Sequence, residues 1–343
     1  MRIGYFCYNL SGTGPRVRAQ DIINGFAART DHDVVVLTSE PGLVDDGADI
    51  VVEVDIRNPV SVFRSVRRYL TDCDVVHVPI NVYQVAFVRA GYRGPLVAGI
   101  GPGLQSDRRH RLLLRMLDID ARIKTFERQF ELPINGLTAT VTGTIDTASF
   151  YPYTPEECVA ARERLEIPTD DRVLLYVGEL NEPQGARLVD SMADRFTRPD
   201  TTIVVAGGGP LADRMAVNEH IQFEGFVPNK QLPTYYNAAD VTLGPRRNDV
   251  TSNVGLESIA CGAPFITTAT GTIRSLFLYE EDIYCWADRT PDGVWRTAQS
   301  LLDDEAAYEG YVRRGLEAIA KRPLTLERAL SVHEELYTTL ATQ

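Results

Sequence analysis

The chain has 343 residues, 44% of them hydrophobic, and carries 35 lysines and arginines against 47 aspartates and glutamates, a formal net charge of −12 at pH 7. Such a chain can bury a substantial core and favours two domains over one, and no nucleic-acid partner is expected of so acidic a protein. No apolar run reaches the roughly 20 residues that span a bilayer, and the first residues, MRIGYFCYNL, lack a basic segment, a long apolar stretch and a small-residue cleavage site, so the chain reads as soluble, unsecreted and cytoplasmic.

The five cysteines, Cys7, Cys73, Cys158, Cys261 and Cys285, are scattered and form no CxxC pair. They read as free thiols in a reducing compartment, with neither a disulfide framework nor a metal site. Charge is unevenly divided: residues 1 to 148 hold 17 basic and 17 acidic side chains, the remainder 18 and 30. That asymmetry fits two domains with different surfaces.

Along the chain, short β-branched runs alternate with longer amphipathic segments, the pattern of parallel sheets with helical crossovers. The runs of the first half are RIGYFCY, DVVVLTS, VVHVPI, PLVAGI and LTATVTG. A second series starts afresh with RVLLYVG, TTIVVAGGG, HIQFEGF, DVTLGP and PFITT. Two series imply an α/β protein with two doubly wound, Rossmann-like domains, and the Pro-, Tyr- and charge-rich passage FYPYTPEECVAARERLEIPTDD reads as the linker. The expected division is 1–150, 151–322, and a packing helix over 323–343 that puts Leu326, Leu330, Leu336 or Tyr337, and Leu340 on one face. A ligand would sit at the carboxyl ends of the strands, where the domains face each other across a cleft.

The loops at those ends carry the candidate chemistry. After the first strand, Gly12 and Gly14 permit tight turns, Pro15 suits a first helical turn, and the helix start that follows can face an anion. The spacing is not the dinucleotide fingerprint, so a plain strand-to-helix turn is the competing reading. In NDVTSNVGLESIACGAPFIT, residues 248–267, Asp249 is expected in a loop and Glu257 about one turn into a helix. Carboxylates accept paired hydrogen bonds from vicinal hydroxyls, and amides at a helix start near Asn253, Val254 and Gly255 can hold a phosphate. A sugar nucleotide presents both groups. Taken alone, the two acids read first as a solvated surface acid and an ordinary N-terminal helical acid.

The series LLYVGEL, IVVAGGGP, IQFEGFVPNKQLPTYYNAADVTLGP and DVTSNVGLESIACGAPFITTATG resembles, in order and spacing, the donor-binding domain of glycosyltransferase family 4 over roughly residues 138 to 275. The first half is a looser match. The resemblance implies the GT-B architecture and a retaining, metal-independent enzyme without cofactor that moves a sugar from a nucleotide-sugar donor to a hydroxyl, in glycan biosynthesis. By the same resemblance Glu257 holds the donor ribose, Asp249 stands where the family has a glutamate contacting the transferred sugar, and Gly207, Gly208 and Gly209 form the turn passing the nucleotide.

The chain departs from that family at two places. In VGELNEPQG, Glu179 and Gln184 stand where the family has an arginine and a lysine that neutralise the donor diphosphate. An acid facing a desolvated diphosphate is repelled, so Arg246 and Arg247, or Arg16 and Arg18 in the first half, become candidate replacements. In PLVAGIGPGLQSD, Gly101, followed by Pro102 and Gly103, replaces a family histidine on the acceptor side, leaving only backbone amides there. His77, in DVVHVPI, reads as a packed strand residue. These departures keep two other readings open: a GT-B-like nucleotide-sugar-binding or partner subunit without turnover, and a nucleotide-sugar epimerase. Finally, SVFRSVRRYL and DRRHRLLLRMLDIDARIKTFERQ place Arg64, Arg67, Arg68, Arg108, Arg109 and Arg111 beside apolar residues. That pattern suits either core-packed amphipathic helices or a peripheral membrane surface near a lipid-linked acceptor.

Overall fold

The computed structural model describes residues 1–10, 15–79, 82–100, 116–124, 136–196, 198–247, 253–268 and 282–343. The chain divides into two compact units, Met1–Thr144 together with Pro323–Gln343, and Ile145–Arg322.

The first unit is built on seven parallel strands: β1 (Arg2–Phe6), β2 (Asp33–Thr38), β3 (Ile50–Glu53), β4 (Val75–Val78), β5 (Leu96–Ile100), β6 (Ala121–Lys124) and β7 (Leu137–Thr140), in the order β3-β2-β1-β4-β5-β6-β7. Its helices are α1 (Pro15–Arg29), α2 (Pro59–Ser65), which runs on into a π-helical turn at Val66–Leu70, α3 (Val82–Gly91) and the C-terminal helix. Strand residues alternate between two buried layers: Ile3, Tyr5, Val34 and Val36 face one, Phe6, Val35 and Leu37 the other. Both faces are therefore covered, as near-continuous β-branched strands of a parallel sheet require.

The second unit has six parallel strands: β8 (Arg172–Val177), β9 (Thr201–Ala206), β10 (Gln222–Gly225), β11 (Val241–Gly244), β12 (Phe265–Thr267) and β13 (Tyr284–Trp286), in the order β10-β9-β8-β11-β12-β13. Its helices are α4 (Pro155–Arg164), α5 (Ala186–Arg195), α6 (Ala212–Ala216), α7 (Leu232–Ala238), α8 (Asn253–Ala260), α9 (Pro291–Asp303) and α10 (Glu305–Lys321). Helix α4 starts at a full capping box: the Thr154 hydroxyl accepts from the Glu157 amide, and the Glu157 carboxylate accepts from the Thr154 amide. The last helix, α11 (Leu326–Ala341), starts at the Thr325 cap and buries Leu326, Leu330, Leu336, Tyr337 and Leu340 in the first unit's core.

All ten β-branched runs become strands. Three further strands, β3, β6 and β13, are only four, four and three residues long. The half-exposed alternation of β3 and β6 leaves a weak apolar signal, and β13 is too short for a period to show. In both sheets the connection order reverses beside the first strand of the unit, between β1 and β4 and between β8 and β11. Open parallel sheets bind ligands outside the carboxyl ends of strands at such a reversal.

Candidate functional site

In the second unit the turns after β8 and β11 meet at the reversal point. The Arg247 amide donates to the Pro183 carbonyl at 2.9 Å, tying the two turns together. The Arg246 amide donates to the Gly244 carbonyl at 2.8 Å. The Thr268 hydroxyl donates to the Arg246 carbonyl at 2.9 Å, so the backbone at Arg246 is held from both sides. The third wall is the glycine turn after β9. A Cβ on Gly207 would stand 1.9 Å from the Gly178 carbonyl oxygen, so only glycine lets these two turns touch. Gly208, by contrast, has open space where a side chain would be.

Helix α8 begins beside these turns. Gly255 lets it close on β12, since a Cβ there would come within 2.8 Å of the Phe265 ring. Two residues on, Glu257 is 6% exposed, and its Oε2 accepts a hydrogen bond of 2.8 Å from the Tyr236 hydroxyl of α7. A buried carboxyl needs such a donor. Tyr236 is fully buried, and burial, then the Glu257 charge, raises its hydroxyl well above the usual tyrosine value, so it stays a donor at neutral pH.

Arg246 is half-buried and Arg247 exposed. Burial lowers the Arg246 pKa, while Tyr176, Tyr236, Tyr284 and Glu257 surround its charge and act the other way. Its Nη2 lies 3.7 Å from the position a Cβ would take on Gly178. The guanidinium thus reaches across from the β11 turn to the β8 turn. In that β8 turn the Tyr176 hydroxyl donates to the carbonyls of Glu179 (3.1 Å) and Gln184 (3.4 Å). Burial pushes Tyr176 up to about 12. The Glu179 side chain is exposed. Among the described residues, the buried Oε1 of Gln184 has no hydrogen-bond partner.

The structure therefore brings together Gly207, Gly208, Arg246, Gly255 and Glu257, with Gly209, Asn253 and Val254 next to them in the same turns. Asp249, Gly12, Gly14, Gly101, Gly103, Arg108, Arg109 and Arg111 lie outside the described residues. Arg16 is exposed near the start of α1 and lowers the pKa of Cys7 against the larger effect of burial, which pushes that thiol up to about 12. His77 is a packed strand residue, 2% exposed, paired in register with Tyr5. Tyr236 and Tyr176 are the site residues sequence reasoning missed. Their only signal is a tyrosine within an apolar run, which reads as core.

Residues 160–317 match the family model for glycosyl transferases group 1. A D-inositol 3-phosphate glycosyltransferase of Corynebacterium urealyticum is 27% identical over 244 residues, 64% of this chain and 57% of that protein. The chain matches less than two thirds of the length of such curated relatives. Among solved structures, a sucrose-phosphate synthase from Thermosynechococcus elongatus superposes with a TM-score of 0.77 at 16% identity, covering 100% of both chains. Anabaena HepE, in complex with UDP and glucose, does so with a TM-score of 0.76 at 14% identity, again over 100% of both. At these identities the structural likeness is one of fold. The chain thus has the GT-B fold, and the turns and helix just described lie within residues 160–317, the part that is similar to the glycosyl transferases of group 1.

Proposed function

We propose that the protein is a retaining glycosyltransferase that moves a sugar from a nucleotide-sugar donor to a hydroxyl acceptor. The observation that carries this reading is Glu257: a buried carboxyl, oriented by Tyr236, at the start of a helix beside the strand-order reversal. A carboxylate so held offers its lone pairs to the two vicinal hydroxyls of a ribose. The positive end of the α8 dipole and the cation at Arg246 favour an anion next to it. A nucleoside diphosphate has that arrangement of hydroxyls and charge. Asp249, eight positions before Glu257, is the group we assign to the transferred sugar.

On this reading the chain's own residues act by holding and charge stabilisation. Glu257 binds the ribose, the α8 amino end and Arg246 take up the negative charge that grows on the leaving diphosphate, and that diphosphate receives the acceptor proton. No protein nucleophile is required. The test is incubation of purified protein with a panel of nucleotide sugars and acceptor extracts, following nucleotide binding and nucleotide release. Acceptor-dependent release is expected, and Glu257→Gln and Asp249→Asn should each reduce it at least about tenfold. Binding without release would favour a second reading, a nucleotide-sugar-binding partner subunit, for which the acidic Glu179 and neutral Gln184 speak. Conversion without acceptor would favour an epimerase.

We further propose a cytoplasmic protein that meets a lipid-linked acceptor at an anionic membrane surface. Among the described residues no helix is long and apolar enough to cross a membrane. On α2 and the turn after it, Val62, Val66 and Leu70 are buried, whereas Val60, Phe63, Arg64, Arg67 and Arg68 are exposed together. Exposed apolar residues among arginines suit shallow insertion with headgroup contacts. Flotation should recover the protein with anionic vesicles at low salt and not with neutral ones. Loss of recovery in both would make a soluble acceptor the better reading.

A further inference from the structure

The β8 turn presents a problem for any donor bound as proposed above. Its ionisable side chains, Glu179 and Glu182, are both acidic and exposed, and Gln184 is neutral, so this turn supplies no positive charge to a diphosphate. A desolvated diphosphate beside a carboxylate and no cation would be repelled. The cation has to come from a neighbouring element.

We propose that Arg246, reaching over from the β11 turn, is the diphosphate-binding residue of this site, and that Arg247 is not. This rests on the nucleotide-sugar reading and deepens it by separating the two adjacent arginines, one on the diphosphate and one not. Three geometric observations carry it. The Arg246 Nη2 lies 3.7 Å from the Cβ position of Gly178, the residue before Glu179, so the guanidinium occupies the space over the β8 turn. Its backbone is fixed by the bonds to Gly244 and from Thr268, so the charge is placed before any ligand arrives. Arg247 points to solvent, and only its backbone joins the β8 turn, at Pro183.

The surroundings agree with a ligand-binding role. Tyr176, Tyr236, Tyr284 and Glu257 all lie near enough to the guanidinium to act on its charge. Among the described residues, the buried Gln184 Oε1 in the same turn lacks a donor. A planar guanidinium can make a forked, bidentate contact with phosphate oxygens, which a lysine cannot reproduce. The competing role is purely internal: Arg246 as the counter-charge that positions Glu257. The two roles separate by ligand, because a counter-charge supports ribose binding and a phosphate cation does not.

Isothermal titration of UDP against uridine, and of GDP against guanosine, makes the separation, with circular dichroism to confirm folding of each variant. Arg246→Gln should weaken the diphosphate at least about tenfold while changing the nucleoside less than about threefold, and Arg246→Lys should fall between. Arg247→Gln should change both by less than about threefold. Glu179→Arg, a change at an exposed position, should tighten the diphosphate in the native background and recover most of the loss in the Arg246→Gln background. Equal loss of diphosphate and nucleoside on Arg246→Gln overturns the proposal and makes Arg246 a positioning residue for Glu257. So does a diphosphate affinity that ignores Glu179→Arg. If the native protein binds no nucleotide of either pair, the nucleotide-sugar reading falls and this proposal falls with it.

Discussion

The two units share the order of their first six strands and a parallel sheet, yet the polar side chains they bury differ in kind. In the first unit, Tyr5, His77, His333 and Tyr337 form one buried cluster. The Tyr337 hydroxyl is hydrogen-bonded to His77 Nδ1 at 2.7 Å and lies 3.3 Å from the Tyr5 hydroxyl, and His333 Nδ1 bonds the Ala329 carbonyl at 2.7 Å. The cluster lies inside the layer between β1, β4 and α11, with Tyr5 and His77 paired one residue before the carboxyl ends of their strands. In the second unit the buried Glu257 carboxyl and the half-buried Arg246 guanidinium stand at the carboxyl ends of the strands, whereas the other buried carboxyl, Asp190 of α5, is held by Arg214 and Asn218. Neutral rings tolerate burial with few hydrogen bonds: among the described residues the buried His77 Nε2 has no partner at all. A carboxyl and a guanidinium cost far more to desolvate and need several partners, so their place at the strand ends, where a ligand can supply the rest, is the informative one.

The largest expected effect tests the neutral half of that contrast. Burial holds His77 well below its usual pKa, and the neighbouring His333 lowers it further; burial takes His333 down to about 4, against its bond to the Ala329 carbonyl, which acts the other way. In the unfolded chain both titrate near pH 6.5, so below that pH the unfolded form binds more protons than the folded one. Stability is therefore complete above about pH 6.5 and drains away as the pH falls toward 4. Between pH 7 and 5 the loss is about 2 kcal/mol for each histidine. Urea midpoints across that range should show it, and His77→Leu with His333→Phe should flatten the curve. An unchanged slope in that double variant would mean the rings are not the groups that titrate. Asp282, held low by its bond to Arg322 in the second unit, loses its contribution only below the ordinary carboxylate range, so it does not interfere.

The charged half of the contrast is tested by function. Glu257→Gln should cost transfer about 1.5–3 kcal/mol in activation free energy, at least about tenfold in rate, with little change in urea midpoint. His77→Leu should do the reverse, keeping turnover within about twofold while losing stability. The crossed result, a stable slow His77 variant or an unstable active Glu257 variant, would break the comparison. Tyr236→Phe is a finer probe. It removes one hydrogen bond to Glu257, so nucleoside and nucleoside diphosphate should weaken together by about fivefold. A loss confined to the diphosphate would move Tyr236 from holding Glu257 to meeting the phosphates directly.

Much of this architecture was legible because period and punctuation repeat along the chain. The strands β1, β2, β8 and β9 are long β-branched runs that nothing else in the sequence imitates. The site was legible less evenly. Glu257 stood out through its place after a small-residue turn, but Tyr236 did not, because a tyrosine among YYNAAD has the same spacing whether it packs or orients an acid. Arg246 and Arg247 are adjacent and chemically identical in sequence. Only the turn geometry, with Arg246 pinned from both sides and Arg247 facing solvent, tells them apart. That distinction depends on Thr268 and Pro183, residues distant in sequence from the arginines.

If the location of a buried charge, rather than local oddity, marks function, then a strained residue away from the strand ends should be replaceable. Glu166 offers this case, since among the described residues it is the non-glycine residue with a positive φ, at 56°. It lies in the connection from α4 to the amino end of β8, the opposite end from the site. Its conformation is explained by the end of the helix. The Glu166 amide donates to the Glu163 carbonyl at 3.1 Å and the Ile167 amide to the Arg162 carbonyl at 2.9 Å, the pair of bonds that closes a helix through one left-handed residue. Glycine takes that conformation without the steric cost that a Cβ brings, roughly 1 kcal/mol, although its freedom in the unfolded chain returns part of the gain. Glu166→Gly should therefore raise the unfolding free energy slightly, by about 0.5 kcal/mol as read from urea midpoints, and leave nucleotide affinity and transfer rate unchanged. A gain in stability accompanied by a loss of transfer would show that this end of the sheet takes part in the reaction, and the rule drawn from the two units would then fail where it was expected to be safest.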